Sequence, residues 1–285
     1  MYCIFGTPVR VRATTAEFAA AVRALLHAYA VRQELQEQVA ATYSAVIEPP
    51  RRDTIRPLHR LYGPECGAVR AADPLELLAA LSEGVSYSAW RRNGAEDGAA
   101  PPDALLVRGG AAAWDGGAVL LLPLGDARPY TLWQRLFDLG FRYLADAVTP
   151  LAPSGGTALP FPKGAVYAPE GDWPLHHVVW SPRRAVPWRV RWQERRLTGD
   201  DLAGPCPVRW LVWLGEPVAD AEAIELPARS TALAMLLPHV SGWRARGAAG
   251  FQALVRTVAG AQCAIVRART AAEAAALVQQ VCAAR

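Results

Sequence analysis

A chain of 285 residues that is 52% hydrophobic and 20% charged has enough apolar material for a full core, which argues against a disordered or low-complexity protein. Its net charge of +4 is too mild to demand a nucleic acid or an anionic surface as partner. Five scattered cysteines, Cys3, Cys66, Cys206, Cys263 and Cys282, form no C-x-x-C pair; this speaks against a zinc frame and for reduced thiols in a cytosolic setting.

Met1 opens onto YCIFG, too short an apolar run and too poor in basic residues for a secretory signal, and no window has the apolar length of a membrane span. The expectation is a cytoplasmic protein without a membrane span, metal or resident cofactor. Tyr2 to Ala13 starts as a strand, with Gly6 and Pro8 marking a turn or an edge. Thr14 or Thr15 can cap the next helix, on which Phe18, Val22, Leu25, Leu26 and Tyr29 form an apolar stripe; His27 there faces solvent or a local partner. Val31 to Ile47 continues as helix and strand. Pro49 to Arg60 is a connection whose Arg51, Arg52, Arg56 and Arg60 read as a solvated loop before an anion grip. Leu61 to Ala71 suggests a hairpin, Pro74 to Leu81 a helix that can continue to Arg92, and Arg91 to Pro102 a Gly-, Ala- and Pro-rich loop.

The most informative stretch runs from Gly117 to Leu151. Ala118 to Leu122 is a continuous apolar run, the signature of a strand buried on both faces. After a turn, Thr131 to Leu139 places Leu132, Leu136 and Leu139 at helical spacing, Gly140 closes the helix, and Phe141 to Leu144 reads as a strand that runs out at Asp146. A strand, a turn and a helix in this order can cradle a phosphate when the turn carries G-x-x-x-x-G-K-[ST]. Laid over Leu124 to Thr131, that pattern meets Leu124 for the first Gly, Pro129 for the second and Tyr130 for the Lys; only the hydroxyl of Thr131 remains. Pro129 removes an amide donor and Tyr130 carries no charge at neutral pH; Gly125, Asp126 and Arg128 remain as small or polar loop residues, of which Arg128 could meet a phosphate and Asp126 would repel one.

Several phrases here resemble the HPr kinase/phosphorylase family. WDGGAVLLLPLG (Trp114 to Gly125) is similar to the family's "dGravLLpG", LGFRYLADA (Leu139 to Ala147) to its "rGhrylaDD", and ALPFPKGAVY (Ala158 to Tyr167) to its "P-f-P-k" phrase. The likeness runs from about Asp73 to the C-terminus. It implies an α/β fold, a phosphate-loop core with a mixed sheet and flanking helices over residues 73–285, beside a small α+β region at 1–72. It also implies that Asp146 stands for the first of two adjacent acids serving phosphoryl transfer and metal binding. The second is Ala147, and Pro101 to Leu106 lacks the His expected ahead of the first strand. The implication is a degenerate, pseudoenzyme-like protein, with ATP and magnesium as ligands only if a divergent phosphotransferase survives on Thr131, Asp146 and Arg128 or Lys163. Self-assembly into a homo-oligomer is common among proteins of this kind; no residue here argues for it.

Lys163, within PFPK, is the chain's only lysine and a candidate anion contact, although a GC-rich coding sequence accounts for the general preference for Arg. Ala152 to Gly156 is a turn-rich loop, and Ala165 to Tyr167, Leu175 to Trp180 and Trp188 to Trp192 read as strands. In the last of these, Trp188, Val190 and Trp192 alternate with Arg189 and Arg191. The pattern fits a stacking-and-phosphate platform for single-stranded nucleic acid or a contact strand with tryptophans inward and arginines wet; Glu194, Asp200 and Asp201 favour the second. His176 and His177 point to opposite faces and cannot readily share a metal. Val208 to Leu214 and Ile224 to Leu226 are strands, Ser230 to Val240 and Ala248 to Val258 helices, Cys263 to Val266 a strand, and Thr270 to Ala284 a closing helix with a Thr270–Glu273 capping box. The abundant tryptophans and arginines suit a protein or peptide partner over a nucleic acid.

Overall fold

The apolar run around Leu120 lies at the centre of the largest of the three sheets among the described residues. The computed structural model describes residues 1–31, 39–48, 58–93, 104–124, 132–161, 163, 165–169, 192–219, 221 and 223–284, with backbone alone at 93, 165–169 and 192–196. The chain divides into two units, residues 1–92, 163–170 and 180–197 forming one and residues 93–162, 171–179 and 198–285 the other. The mixed α/β architecture matches the expectation.

In the first unit, β1 (Tyr2–Ile4) and β2 (Thr7–Ala13) form a hairpin, with the turn at Gly6 that the sequence marked as a turn or an edge. Phe5 and Gly6, with φ of 47° and 76°, make the two-residue turn whose left-handed backbone suits the strand twist. β3 (Ala41–Val46) runs parallel to β2, and β4 (His59–Gly63) and β5 (Gly67–Ala71) extend the sheet in antiparallel fashion. Helix α1 (Ala16–Leu25) is capped by Thr15, whose hydroxyl accepts the Phe18 amide, and Phe18, Val22 and Leu25 are its buried stripe. Helix α2 (Pro74–Asn93) is the long one; its Gly84 lies so close to the Tyr43 ring of β3 that a Cβ there would meet Cε1 at 2.9 Å. β12 (Ala165–Pro169) and β13 (Trp192–Arg196) pair with each other as a separate antiparallel ribbon.

In the second unit, β6 (Leu105–Arg108) and β7 (Gly110–Trp114) follow one another, separated by Gly109. The Asp115–Gly116 turn returns the chain into β8 (Gly117–Pro123). Helix α3 (Leu132–Asp138) leads through Gly140, φ 87°, into β9 (Arg142–Ala145), then β10 (Val148–Leu151) and β11 (Thr157–Ala158). β14 (Cys206–Gly215), β15 (Ile224–Glu225), α4 (Arg229–Leu236), β16 (Val240–Ser241), α5 (Gly247–Gly260), β17 (Gln262–Arg267) and α6 (Ala271–Ala283) complete it. α4 ends four residues before the expected Val240, in a short 3-10 turn at Leu237–His239 that carries Pro238 near its start. Pro238 has no amide to donate to a continuing helix.

Among the described residues the largest sheet has ten strands, and β8, β14 and β17 are its parallel centre. Leu120, Leu121, Val212, Trp213 and Ala264 there are fully buried. Burying a Leu or Val side chain completely is worth roughly 1.5–3 kcal/mol, so this dry centre is the main driving force of the unit. The expected strand at Leu175 to Trp180, His176 and His177, the arginines at 51, 52 and 56, and most of Trp188 to Trp192 lie outside the described residues. All five cysteines are free thiols.

Candidate functional site

β7 is antiparallel to both β8 and β9, so β8 and β9 run the same way, as do β14 and β17 beside β8. Four carboxyl ends therefore share one edge, at Pro123, Ala145, Gly215 and Arg267. In open α/β sheets this is the edge where ligands bind. The turn after β8 starts there, with the Leu124 amide donating to the Leu214 carbonyl at 2.8 Å. Its candidate phosphate-contact residues, Gly125, Asp126, Arg128, Tyr130 and Thr131, lie outside the described residues.

Asp146 follows β9 directly and is 8% exposed. One carboxylate oxygen accepts the amide of Ala147, the residue standing where a second acid would be, at 2.6 Å. The backbone is tight here. A Cβ on Gly110 would meet the Asp146 carbonyl oxygen at 2.8 Å and Cζ2 of Trp133 at 2.6 Å. Trp133, on the first turn of α3, is buried against Tyr143 with ring centroids 5.4 Å apart, and its Nε1 has no hydrogen-bond partner among the described residues. The Gly109 amide donates to the Ala147 carbonyl at 3.0 Å, and the Thr149 hydroxyl donates to the Gly109 carbonyl at 2.8 Å. β6–β7 and β9–β10 thus bend together beside the end of β8.

Sequence reasoning missed a perturbed histidine at the end of the same sheet. β16 pairs with β6 in a register, Val240 opposite Val107, that brings His239 opposite Arg108. Burial, and then the Arg108 charge, push the His239 imidazole down to about 4, against a hydrogen bond to the Arg108 backbone that raises it. His239 is accordingly neutral at pH 7. Nothing in the local sequence signals this, because the strand that carries Arg108 was itself unread.

At the ends of β14 and β17, residues 216–219 and 268–270 line a cleft of about 520 Å³. The adjacent start of α6 is closed by its own side chains. The Thr270 hydroxyl accepts the Glu273 amide at 3.2 Å, and the Glu273 carboxylate accepts the Arg269 amide at 2.8 Å. An anion arriving there would meet a carboxylate already in place.

Lys163 belongs to the first unit. It is 2% exposed and donates to the Ser82 carbonyl at 3.2 Å and to the hydroxyls of Ser82 and Ser86 at 2.9 Å each. Of the candidate interface, Trp188, Arg189 and Arg191 lie outside the described residues, and Trp192 opens β13 opposite Pro169. Arg60 pairs with Glu48 at 3.2 Å. Among the described residues no cluster of three His, Cys, Asp or Glu side chains could hold a metal, and no helix is long and apolar enough to cross a membrane.

No protein-family model matches the chain, and no curated protein matches it. Among solved structures, the HPr(Ser) kinase/phosphatase from Coxiella burnetii is similar over 62% of this chain and 93% of that chain, with 10% identity and a TM-score of 0.28. The site is therefore read from its own residues.

Proposed function

We propose that the chain is a catalytically degenerate HPr-kinase-like protein that binds a protein or peptide, or helps assemble a complex. The observation that carries this reading is the turn after β8, where Leu124, Pro129 and Tyr130 occupy the places of two glycines and the phosphate-binding lysine. Phosphoryl transfer draws nearly all its rate from positioning and charge stabilisation, so removing those groups together removes the reaction. Ala147 in place of a second acid supports the same conclusion. The tryptophans and arginines of Trp188, Arg189, Arg191 and Trp192 supply residue types that concentrate binding energy at interfaces.

One observation favours a second reading, a divergent phosphotransferase. Asp146 stands at the end of β9, on the edge where the turn after β8 emerges. Calorimetric titration with magnesium and ATP separates the two. The first reading expects no heat of binding at millimolar nucleotide; saturable, magnesium-dependent binding that Asp146→Ala abolishes would replace it with the second. Partner binding is tested by recovering what co-purifies with the native chain and repeating the recovery with Trp192→Ala and Arg191→Ala, which should deplete it.

A further inference from the structure

We propose that Lys163 is a lysine-specific lock that holds the β12–β13 ribbon to helix α2. Among the described residues β12 and β13 hydrogen-bond to each other and to no other strand. A two-stranded ribbon by itself is marginal in water, so its place in the first unit requires an anchor. Lys163 sits two residues ahead of β12 and reaches α2, where Ser82 and Ser86 are one helical turn apart and so lie on the same face.

The choice of residue type supports this assignment. The chain has 30 Lys and Arg residues, and this position holds its single Lys. An ammonium places three donors around one nitrogen, and here three oxygens converge on it: the Ser82 carbonyl, the Ser82 hydroxyl and the Ser86 hydroxyl. The planar fork of a guanidinium spreads its donors over several nitrogens and cannot meet three acceptors around one point. The Ser86 hydroxyl also donates to the Ser82 carbonyl at 2.9 Å, so the two serines and the ammonium form one closed network. A buried ammonium is tolerated only while it keeps its partners, which makes the anchorage all-or-none. The lock stands on this geometry alone. Its functional consequence rests on the proposed contact role of Trp192 and its neighbours, because the second strand of the ribbon begins at Trp192.

Lys163 carries the only side-chain amine, so it can be followed without ambiguity. The intact protein is acetylated with an N-hydroxysuccinimide ester, and Lys163 is quantified by peptide mass spectrometry, with amide exchange recorded in parallel. The native chain should react at least about tenfold more slowly than the denatured one. The double variant Ser82→Ala, Ser86→Ala keeps good helix formers in α2; it should raise the native rate by about tenfold and speed exchange in β12 and β13, with β8, β14 and β17 unchanged. Lys163→Arg should lose ribbon protection as Lys163→Met does. Native labelling at the denatured rate, a silent double variant, or full protection in Lys163→Arg would each overturn the lock. Failure of the proposed partner function would instead appear as an empty co-purification and would leave these rates untouched.

Discussion

The two units bury different chemistry. The centre of the second unit is dry: β8, β14 and β17 meet through Leu, Val, Ile, Ala and Trp side chains. In the first unit, helix α2 buries Ser82, Glu83, Ser86 and Ser88; Ser82 and Ser86 bond the buried Lys163, and the Ser88 hydroxyl shares a 2.9 Å hydrogen bond with Tyr43. An apolar core gives strong cohesion that tolerates exchanges of similar volume but not the loss of volume. A buried polar network demands one geometry, since each group that loses its partner costs its desolvation. The second unit therefore looks built for stability and the first for a defined arrangement.

The largest expected effect breaks the dry side of that comparison. Leu120 is fully buried between β7 and β14, and Leu120→Ala removes most of its side chain where the strands on either side cannot close in. The cost should be about 2–5 kcal/mol in urea unfolding, read from the loss of protection in β14. A cost below about 1 kcal/mol would show that the centre collapses around the gap and is not the rigid core described.

How far these differences could be read from the sequence depends on the range of the interactions. The unbroken apolar run at Ala118 to Leu122 announced β8, because only a strand covered on both faces needs no polar residue. The Thr14–Thr15 pair, of which Thr15 is the cap, and Thr270 announced their helices, because a cap acts within three residues. The place of Asp146 at the end of β9 followed from strand length alone. β7 went unread because RGGAAAW offers small residues of low strand preference; what makes it a strand is tertiary, a narrow slot in which Gly110 leaves room for Trp133, whereas β6, with Leu105, Leu106 and Val107, carried an apolar signal too short to stand out alone. The polar face of α2 was equally hidden. Ser82 and Ser86 are unremarkable in a helix, and the residue that gives them a role lies 77 positions beyond Ser86.

A second test sharpens the comparison through pH. Glu76, on the first turn of α2, is held up to about 7 by burial and, after that, by the neighbouring Asp73 charge. A carboxyl raised in the folded state favours the protonated form, so its support is complete below about 4.5 and is lost as pH rises through 7. The full displacement corresponds to about 3 kcal/mol, and partial solvent access reduces this to about 2. Glu76→Gln should therefore match the parent chain at pH 4.5 and exceed it by about 2 kcal/mol at pH 8. Equal stability at both pH values would show that burial does not hold the Glu76 carboxyl up.

An effect of similar size has the opposite sign and belongs to the second unit. His239 is held down to about 4, so its contribution is complete above pH 6.5 and is lost as pH falls through 4. Its ring is half-buried and displaced as far as the Glu76 carboxyl, so the same discount limits the effect to about 2 kcal/mol. Relative to His239→Asn, the parent should lose that amount between pH 7 and pH 4. Arg108→Met separates the two causes. Burial is the larger and stays, so the imidazole titration followed by NMR should move upward yet remain below 6.5. A return to 6.5 would assign the shift to the guanidinium, whereas no movement would show that the Arg108 charge does not reach the ring. Acid should thus weaken the second unit while alkali weakens the first, a contrast that amide exchange at pH 5 and pH 8 reads unit by unit.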